Sequence, residues 1–305
     1  MSLSYHLREQ LTKPITGVMG HHDEPRIYAE PPGDPGLCGP GSVSWEIHAD
    51  VPTIAIAGTA AITMEILHPS VMAGVSDLSS YRTEPLRRAR NTAGYVIATT
   101  FGNTEAAEGV IARVRRMHER VTGSRPDGVP YRAMDPELIG WVHTSIPWMV
   151  MRAFERYNRP LTAAERDRYL TEQAVIGHKG GAGPIPEKAA ELDEYVEAMR
   201  PQLAVTEQTR EFFDFLVDSP EGTALPGPLR RPSNRFQIHA SLSLLPEWAR
   251  ELTGFTHSAR AQRLVYEPNL RSTAQALRWA FGEPPFAAMA RARTAQAQAP
   301  AAVAA

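Results

Sequence analysis

The stretch from Asn103 to Gly123 constrains the fold most, because its apolar residues recur at steps of three and four. This period is typical of an amphipathic helix that buries one face. Asn103 or Thr104 is the expected N-cap, and Gly123 is the expected end of the helix. His118 follows Val114 by four residues and therefore lies on the inward face. The pattern by itself leaves His118 either as a satisfied core residue or as a ligand.

The most apolar segment runs from Thr53 to Pro69 and predicts a buried helix, because nearly every face of it is apolar. Thr53 is the expected N-cap. Glu65 and His68 are three residues apart near its end, which would place them on one helical face. A carboxylate in such surroundings needs a partner or a raised pKa. The pair is therefore either a candidate site or an internal ion pair.

Two further helices carry polar residues that are expected to face inward. Arg88 and Thr92 are four residues apart and share a helical face. Asp135, followed by a proline, is a strong start signal for a helix. The apolar stripe of that helix includes His143. A second histidine is thus predicted to face the interior.

The ends of the chain differ in composition from its centre. Residues 1–42 are rich in proline and glycine and are expected to form a surface arm, whereas residues 43–286 carry the helical periodicity. Residues 287–305 consist largely of Ala, Gln, Arg and Pro, which predicts a disordered tail. Residues 124–131, SRPDGVPY, indicate a turn or a short hairpin. Because no repeat and no convincing alternating strand is found, the sequence predicts a single all-α, multi-helix domain with proline-rich loops.

Composition excludes several classes of partner. Lys+Arg 32 against Asp+Glu 34 gives a formal net charge of -2, which offers no basic block to a nucleic-acid backbone. The single cysteine, Cys38, rules out an internal disulfide and fits a reducing compartment. The longest apolar run ends at Glu65, well short of the roughly 20 residues that span a bilayer, and the N-terminus lacks a signal-peptide pattern. We expect a cytoplasmic protein without membrane insertion that binds a small molecule and is compatible with a homo-oligomer.

The motifs leave redox centres as the candidate chemistry. The sequence has no G-x-S-x-G elbow, no phosphate-binding loop after a strand and no H-E-x-x-H zinc motif. A di-iron carboxylate site needs two Glu-x-x-His pairs, and only Glu65 and His68 have that spacing. A haem needs an apolar pocket and one inward histidine, which His118 or His143 could supply. A haem, a non-haem iron site and plain core histidines all stay open at this level.

Five segments of the chain carry a family resemblance. They are DPGLCGPGSVSWEIHADVPT, EILHPSVMAGVSD, RRARNTAGYVIATTFG, ARVRRMHERVTG and DPELIGWVHTS. In this order they resemble the bacterial oxygenase MpaB family, whose relatives include the rubber-cleaving latex clearing proteins and the mycophenolic-acid pathway oxygenase. The resemblance runs from about Asp34 to Phe281. It implies an all-α fold around a b-type haem.

The resemblance also implies roles for individual residues. In the rubber oxygenases an arginine lies three residues before the proximal histidine, and Arg115 and His118 match this pattern, so His118 is the implied iron ligand. An arginine and a threonine four apart near the distal face are matched by Arg88 and Thr92. The lysine that precedes this threonine in rubber cleavers is Asn91 here, which argues against rubber cleavage. His118, Arg115, Arg88 and Asn91 are therefore the expected cofactor-binding positions.

We expect a haem b-dependent oxygenase that acts on a small, largely apolar or natural-product-like molecule with O₂ or peroxide. Arg88 would donate to a haem propionate or to bound oxygen, or would form a structural ion pair. Thr92 would donate on the distal side or to its own backbone. Glu65, His68 and His143 are the candidate acid-base groups, with structural roles as the alternative. A non-haem iron oxidase around Glu65 and His68, and a non-enzymatic haem-binding sensor or carrier, are the other functions left open.

Overall fold

Helices account for nearly all regular structure in the part of the chain that the structure describes. The computed structural model describes Arg8, Glu9, Thr12, Ile15 and residues 25–220 and 227–296. The helices, in chain order, are α1 Arg26–Ala29, α2 Val43–Ala49, α3 Val51–Ile66, α4 Pro69–Leu78, α5 Pro85–Phe101, α6 Thr104–His118, α7 Pro136–Tyr157, α8 Ala163–Gly180, α9 Ala189–Met199, α10 Glu207–Asp218, α11 Gly227–Leu242, α12 Glu247–Thr253, α13 Ala259–Ala261, α14 Glu267–Phe281 and α15 Pro285–Ala295. A π-helical segment, Gln262–Tyr266, joins α13 to α14, and two short strands, β1 Thr122–Ser124 and β2 Pro130–Arg132, follow α6. These elements form one mostly helical globular domain, which confirms the predicted all-α class.

The centre of the domain is the contact between α3 and α7. α3 buries the small residues Ala57, Ala60 and Ala61, which permit close approach of another helix. Trp141 of α7 is fully buried, and its indole N–H donates to the carbonyls of Met64 and Glu65, each at 3.1 Å. Carbonyls in the last turn of a helix lack intrahelical partners. The indole therefore gives the Met64 and Glu65 carbonyls a buried donor, and the Glu65 carbonyl also accepts from the His68 N–H at 3.4 Å.

α3 ends before the residue that was expected to share its face with Glu65. The helix spans Val51–Ile66, two residues ahead of the expected cap Thr53, and α4 begins at Pro69. Proline lacks an N–H and restrains the residue before it. His68 accordingly takes extended geometry and caps α4. The prediction that Glu65 and His68 lie on one face of one helix is therefore wrong.

α6 confirms the first predicted helix at its start and shortens it at its end. The Asn103 side-chain oxygen accepts a hydrogen bond from the Ala106 N–H at 2.7 Å, as an N-cap does. The helix ends at His118, and Gly123 lies in β1 instead of closing the helix. β1 pairs antiparallel with β2, with Gly123 opposite Tyr131, which confirms the predicted hairpin. His118 is therefore the last residue of α6.

α7 and α8 both begin at capping side chains and lie next to each other. Asp135 accepts a hydrogen bond from the Glu137 N–H at 2.9 Å, as predicted for the start of α7. Thr162 and Glu165 form a capping box at the start of α8. α8 packs against both α6 and α7. It therefore covers the two helices that carry the inward histidines.

The C-terminal segment is helical as far as Ala295, so the prediction of a disordered tail is wrong for residues 287–295. Ala287 and Ala290 are buried in a cluster that includes Tyr28 and Phe101. Alanine has the highest helix propensity, and its small side chain lets a helix pack closely. The scarcity of large apolar residues therefore did not prevent folding here. Residues 297–305 lie outside the described part of the chain.

A buried arginine on α15 ties the two ends of the chain together. Arg293 is 0% exposed. Its guanidinium donates to five backbone carbonyls, which belong to Ile27, Tyr28, Asp34, Phe101 and Gly102. Three of these carbonyls lie in the predicted N-terminal arm and two lie at the end of α5. The described part of the arm is thus attached to the helical domain by its backbone.

Helix length and hydropathy bear on membrane crossing. Within the described ranges, no single helix is both long and apolar enough to cross a bilayer. α2 and α3 reach the required length and composition only when taken together, and they meet at an 88° bend.

Candidate functional site

One face of α5 carries a polar pair and an aromatic residue. Arg88, Thr92 and Tyr95 follow one another at steps of four and three and are all partly buried. The Arg88 guanidinium donates to the Thr92 hydroxyl oxygen, and the Thr92 hydroxyl donates to the Arg88 carbonyl at 3.2 Å. The predicted shared face of Arg88 and Thr92 is confirmed by this contact. The threonine hydroxyl fixes the direction of the guanidinium.

His118 closes α6 with a half-buried side chain beside this face. Burial lowers the pKa of its imidazole below the usual value, and the positive charge of Arg88 lowers this pKa further. An imidazole with a lowered pKa is neutral near pH 7 and keeps a lone pair on one ring nitrogen. Metal ligation requires that neutral form. His118 can therefore act as a ligand or as a hydrogen-bond acceptor.

His143 of α7 is held between two helices. Burial lowers the pKa of His143 to about 4, and the nearby imidazole of His118 contributes to the lowering. A Cβ added at Gly177 would lie 3.1 Å from His143 Cβ, and one added at Gly180 would lie 3.1 Å from His143 Nε2. The ring of Tyr95 packs edge-on at a centroid distance of 6.1 Å. The Nε2 edge of His143 therefore lies against the backbone of α8.

Glu65 brings a carboxyl group from α3 to the same region. Burial raises the pKa of Glu65, while the positive charge of Arg88 acts in the opposite direction. The carboxyl group thus exchanges its proton closer to neutral pH than an exposed glutamate does. Arg88 influences both Glu65 and His118, so its guanidinium connects α3 to α6 electrostatically.

Four helices therefore converge on one group of residues, which we call the Arg88 cluster. Its members are Glu65 of α3, Arg88 of α5, His118 of α6 and His143 of α7, with Tyr95 of α5 beside them. Sequence reasoning missed Tyr95. Its position three residues after Thr92 on a helical face was the available signal. Burial raises the pKa of Tyr95 well above its usual value, so its hydroxyl keeps its proton.

Three predicted site residues lie outside the Arg88 cluster. His68 is buried, and its Nδ1 accepts a hydrogen bond from the Ser70 N–H at 3.2 Å as the cap of α4. Arg115 is exposed and donates to the Lys179 carbonyl at 3.2 Å, near the end of α8. Asn91 is exposed on α5. The geometry thus brings together the Glu65, Arg88, Thr92, His118 and His143 candidates and leaves these three aside.

The side of α3 that carries Glu65 is apolar and yet uncovered. Ala55 and Gly58 are exposed on a helix whose residues are mostly buried. Gly58 precedes Glu65 by seven residues, which is about two turns, so both lie on the same side of α3. A Cβ added at Gly58, or at Gly94 of α5, would meet no atom within 4 Å. The space beside each of these two glycines is therefore open.

The side chains present fit an iron ion that brings most of its own ligands. Among the residues that the structure describes, no three His, Cys, Asp or Glu side chains converge as metal ligands. A haem iron takes four nitrogens from its porphyrin and can be held by one axial imidazole. The neutral imidazole of His118 meets that need, and the Arg88 guanidinium suits a propionate. The Glu65 and His68 pair expected for a non-haem site is separated by the break between α3 and α4.

A helical domain that gathers imidazoles, a carboxyl group and a guanidinium from several helices is built like the helix bundles whose ligand and cofactor sites use side chains on facing helices. Comparison with protein families gives the particular family. Residues 45–279 match the catalytic domain described as ER-bound oxygenase mpaB/B'/Rubber oxygenase, and the chain belongs to this family. The matched range contains the whole Arg88 cluster and the contact between α3 and α7. Membership supports a role as an oxidoreductase of the oxygenase class.

Similar curated proteins come from mycobacteria. The uncharacterized proteins Mb2261 of Mycobacterium bovis and Rv2237 of Mycobacterium tuberculosis are each 24% identical to the chain over 208 residues. The alignment covers 66% of this chain and 80% of each relative. No solved structure matches the chain.

Proposed function

We propose that the chain is a haem b-dependent oxygenase that oxidises a small, largely apolar or natural-product-like molecule with O₂ or peroxide. The Arg88 cluster carries this proposal, because it places neutral imidazoles, a guanidinium and a carboxyl group beside an uncovered apolar face. Family membership supports the reaction class. A bound haem would supply the oxygen activation that amino-acid side chains do not provide.

His118 is the proposed axial ligand in preference to His143. The Nε2 edge of His143 lies against α8, where even a methyl group at Gly180 would be 3.1 Å away, so this nitrogen has no room for a porphyrin. His118 is half-buried at the end of α6, and Arg88 is the charged side chain that acts on it. His143 then serves to fill and stiffen the space between α5, α7 and α8.

Arg88 is the proposed anchor for the anionic edge of the cofactor. Its guanidinium is partly buried and is oriented by the Thr92 hydroxyl, so little side-chain freedom is lost when it binds a carboxylate. The same positive charge keeps His118 deprotonated, because a second cation beside it is unfavourable. Arg88 thus preserves the form of His118 that can bind iron.

Glu65 and Tyr95 are the proposed groups for proton handling. Burial raises the pKa of Glu65, so its carboxyl group takes up and releases a proton at a higher pH than an exposed glutamate does. Tyr95 keeps its hydroxyl proton because burial raises its pKa. The exposed Ala55 and Gly58 continue the side of α3 that carries Glu65, which favours an apolar substrate lying against α3.

Absorption spectroscopy of the purified protein tests the proposal. After expression with added haem precursor, we expect an intense Soret band and a pyridine haemochrome spectrum of haem b. His118→Ala should abolish or shift the Soret band, because the axial ligand is lost. His178→Ala is the matched control, since His178 is an exposed histidine on α8 that lies near Glu187, and it should leave the spectrum unchanged.

Other outcomes would replace the proposal. Iron without porphyrin in elemental analysis would support a non-haem oxidase. A Soret band without any oxidation of alkenes or other apolar substrates by O₂ or peroxide would support a haem-binding sensor or carrier. A wild-type spectrum in His118→Ala together with a lost Soret band in His143→Ala would transfer the ligand role to His143.

A further inference from the structure

A second group of polar side chains lies where α7, α11 and α12 meet the π-helical segment Gln262–Tyr266. We call it the Arg250 junction, and its members are Arg152, Arg156, His239, Arg250, His257, Gln262 and Tyr266. On α7, Arg156 follows His143 by 13 residues, which is about 20 Å along a helix. The junction is therefore separate from the Arg88 cluster.

The imidazole of His257 connects the parts of the junction. Its Nε2 lies 3.2 Å from Gln262 Oε1, and the Arg250 guanidinium donates to the same oxygen at 3.1 Å. The ring of Tyr266 packs edge-on against His257 at a centroid distance of 4.9 Å and stacks on His239 at 6.3 Å. Gln262 and Tyr266 are the two ends of the π-helical segment, a backbone form that recurs at functional sites. This segment thus brings both of its end side chains to His257.

Two nitrogens of the junction are buried and have no hydrogen-bond partner among the described residues. They are Arg250 Nε and His239 Nδ1. A guanidinium N–H can only donate, so Arg250 Nε needs an acceptor. Leaving a buried donor unpaired costs free energy, because its hydrogen bond to water is lost without replacement. A ligand that carries an acceptor oxygen would remove this cost.

The arginines of the junction bring more positive charge than the neighbouring acids offset. Neither Arg152 nor Arg250 lies within 4 Å of a carboxylate oxygen in the described part of the chain. Burial, together with the charges of Arg156 and Arg250, lowers the pKa of Arg152 to about 10, against the opposing effect of Glu155. The guanidinium groups therefore repel one another.

The two acids beside these arginines have partners already. Glu155 accepts from Arg166 at 2.7 Å, and Glu267 lies 3.9 Å from Arg156. A partly buried cation is unfavourable unless an anion lies near it. The surplus of positive charge therefore favours an anionic ligand over a cationic or neutral one.

We propose that the Arg250 junction binds an oxyanion, which is the carboxylate or phosphate group of a small molecule. The oxyanion would accept from Arg250 Nε, and His239 Nδ1 supplies a second hydrogen-bonding site beside it. Arginine binds carboxylate and phosphate oxygens through N–H groups in a fixed planar arrangement, which is suited to this ligand. The negative charge of the ligand would also offset the repulsion between the guanidinium groups. This site does not depend on a bound haem.

Calorimetric titration of the full chain tests the site. Inorganic phosphate is the probe in one arm and butyrate in the other, with sodium chloride at equal ionic strength as the control. We expect a Kd of about 1 mM or lower for at least one of the two probes, and the tighter one identifies the ligand as a phosphate or a carboxylate. If neither binds at concentrations on the order of 10 mM, the proposal is overturned.

NMR signals of the histidine side chains locate the binding without any substitution. The imidazole signals of His239 and His257 should shift as the probe is added. His178 is the control, because it is exposed on α8 outside the junction, and its signals should stay in place. Binding without a shift at His239 or His257 would place the anion elsewhere and would overturn the proposal.

Substitution of Arg250 supplies the second test. Arg250→Gln removes the charge and should weaken binding about tenfold or more, whereas Arg250→Lys keeps the charge and should give an intermediate affinity. Arg260→Gln is the matched control, because Arg260 is an exposed arginine on α13, and it should bind within about twofold of wild type. Wild-type affinity in a folded Arg250→Gln protein would overturn the proposal. If Arg250→Gln does not fold, the NMR shifts of the wild-type protein decide.

Discussion

Replacing Arg293 by methionine should destabilise the fold strongly, although Arg293 lies far along the chain from the Arg88 cluster. Its guanidinium makes five N–H···O bonds to backbone carbonyls at 2.8 to 3.3 Å. The Ile27 carbonyl keeps a second partner, because the Asn103 N–H donates to it at 2.8 Å. The carbonyls of Asp34, Phe101 and Gly102 lose the guanidinium without a replacement in the described part of the chain. At about 1 kcal/mol for each buried acceptor left unpaired, the loss is about 3 kcal/mol.

Urea unfolding followed by circular dichroism measures this loss. A change of about 3 kcal/mol corresponds to a melting temperature lower by about 5 °C in a chain of this size. The stability of Arg293→Lys should lie between those of wild type and Arg293→Met. An ammonium has three donors and cannot reach carbonyls on both sides as a planar guanidinium does. Arg291→Met is the matched control, because Arg291 lies on the same helix with its side chain 59% exposed and forms an ion pair with Glu283. Its effect should stay below about 1 kcal/mol.

A small effect would refute this role of Arg293. If Arg293→Met unfolds within about 1 kcal/mol of wild type, then the arm and α15 are not held by this side chain, and the unpaired carbonyls do not carry the cost assigned to them. Limited proteolysis gives a second readout. Cleavage within residues 25–42 should become faster in Arg293→Met and stay unchanged in Arg291→Met, because only the former releases the arm.

Two further predictions concern titrating groups. Arg88→Met should raise the pKa of His118, because a cation that opposes protonation of the imidazole is removed. It should also raise the pKa of Glu65, because a positive charge that stabilises the carboxylate is lost. NMR titration measures both pKa values, and a downward shift of either would contradict the arrangement of the Arg88 cluster. His48 is buried and its pKa is lowered to about 4, so it favours the folded state only while neutral. Its contribution, about 3 kcal/mol, is complete above pH 6.5 and is lost as the pH falls through 4. Urea unfolding from pH 7 to 4 should show this loss, and a His48→Gln variant with the same pH dependence would disprove it.

Local signals predicted the starts of helices better than their ends. Asn103 and Asp135 cap α6 and α7 as expected, because a cap depends on side chains within three residues of the helix start. The end of α6 depended on pairing with a later segment of the chain. Gly123 was expected to stop α6, but the backbone there pairs with Tyr131 in the hairpin, so the helix ends five residues earlier at His118. Pairing of this kind leaves no local pattern.

In the candidate site, too, the sequence predicted contacts within one helix better than contacts between different parts of the chain. Arg88 and Thr92 share a face of one helix, so their contact follows from spacing alone. The separation of Glu65 from His68 could be foreseen only by giving Pro69 more weight than the apolar run before it. Tyr95 was overlooked because an aromatic residue on a helical face is usually core, and only the packing of His143 against it shows its place.

The sequence by itself determined the all-α class, the helical faces and the family resemblance, because periodicity, caps and ordered motifs are properties of neighbouring residues. Only the tertiary structure decided which polar residues meet. His118 and Glu65 are 53 residues apart along the chain, and the lowered pKa of one and the raised pKa of the other both depend on burial and on Arg88. Burial arises from packing between helices, and helical periodicity does not encode which helices pack together. The inward histidine of α6 was visible in the sequence, but its surroundings were not.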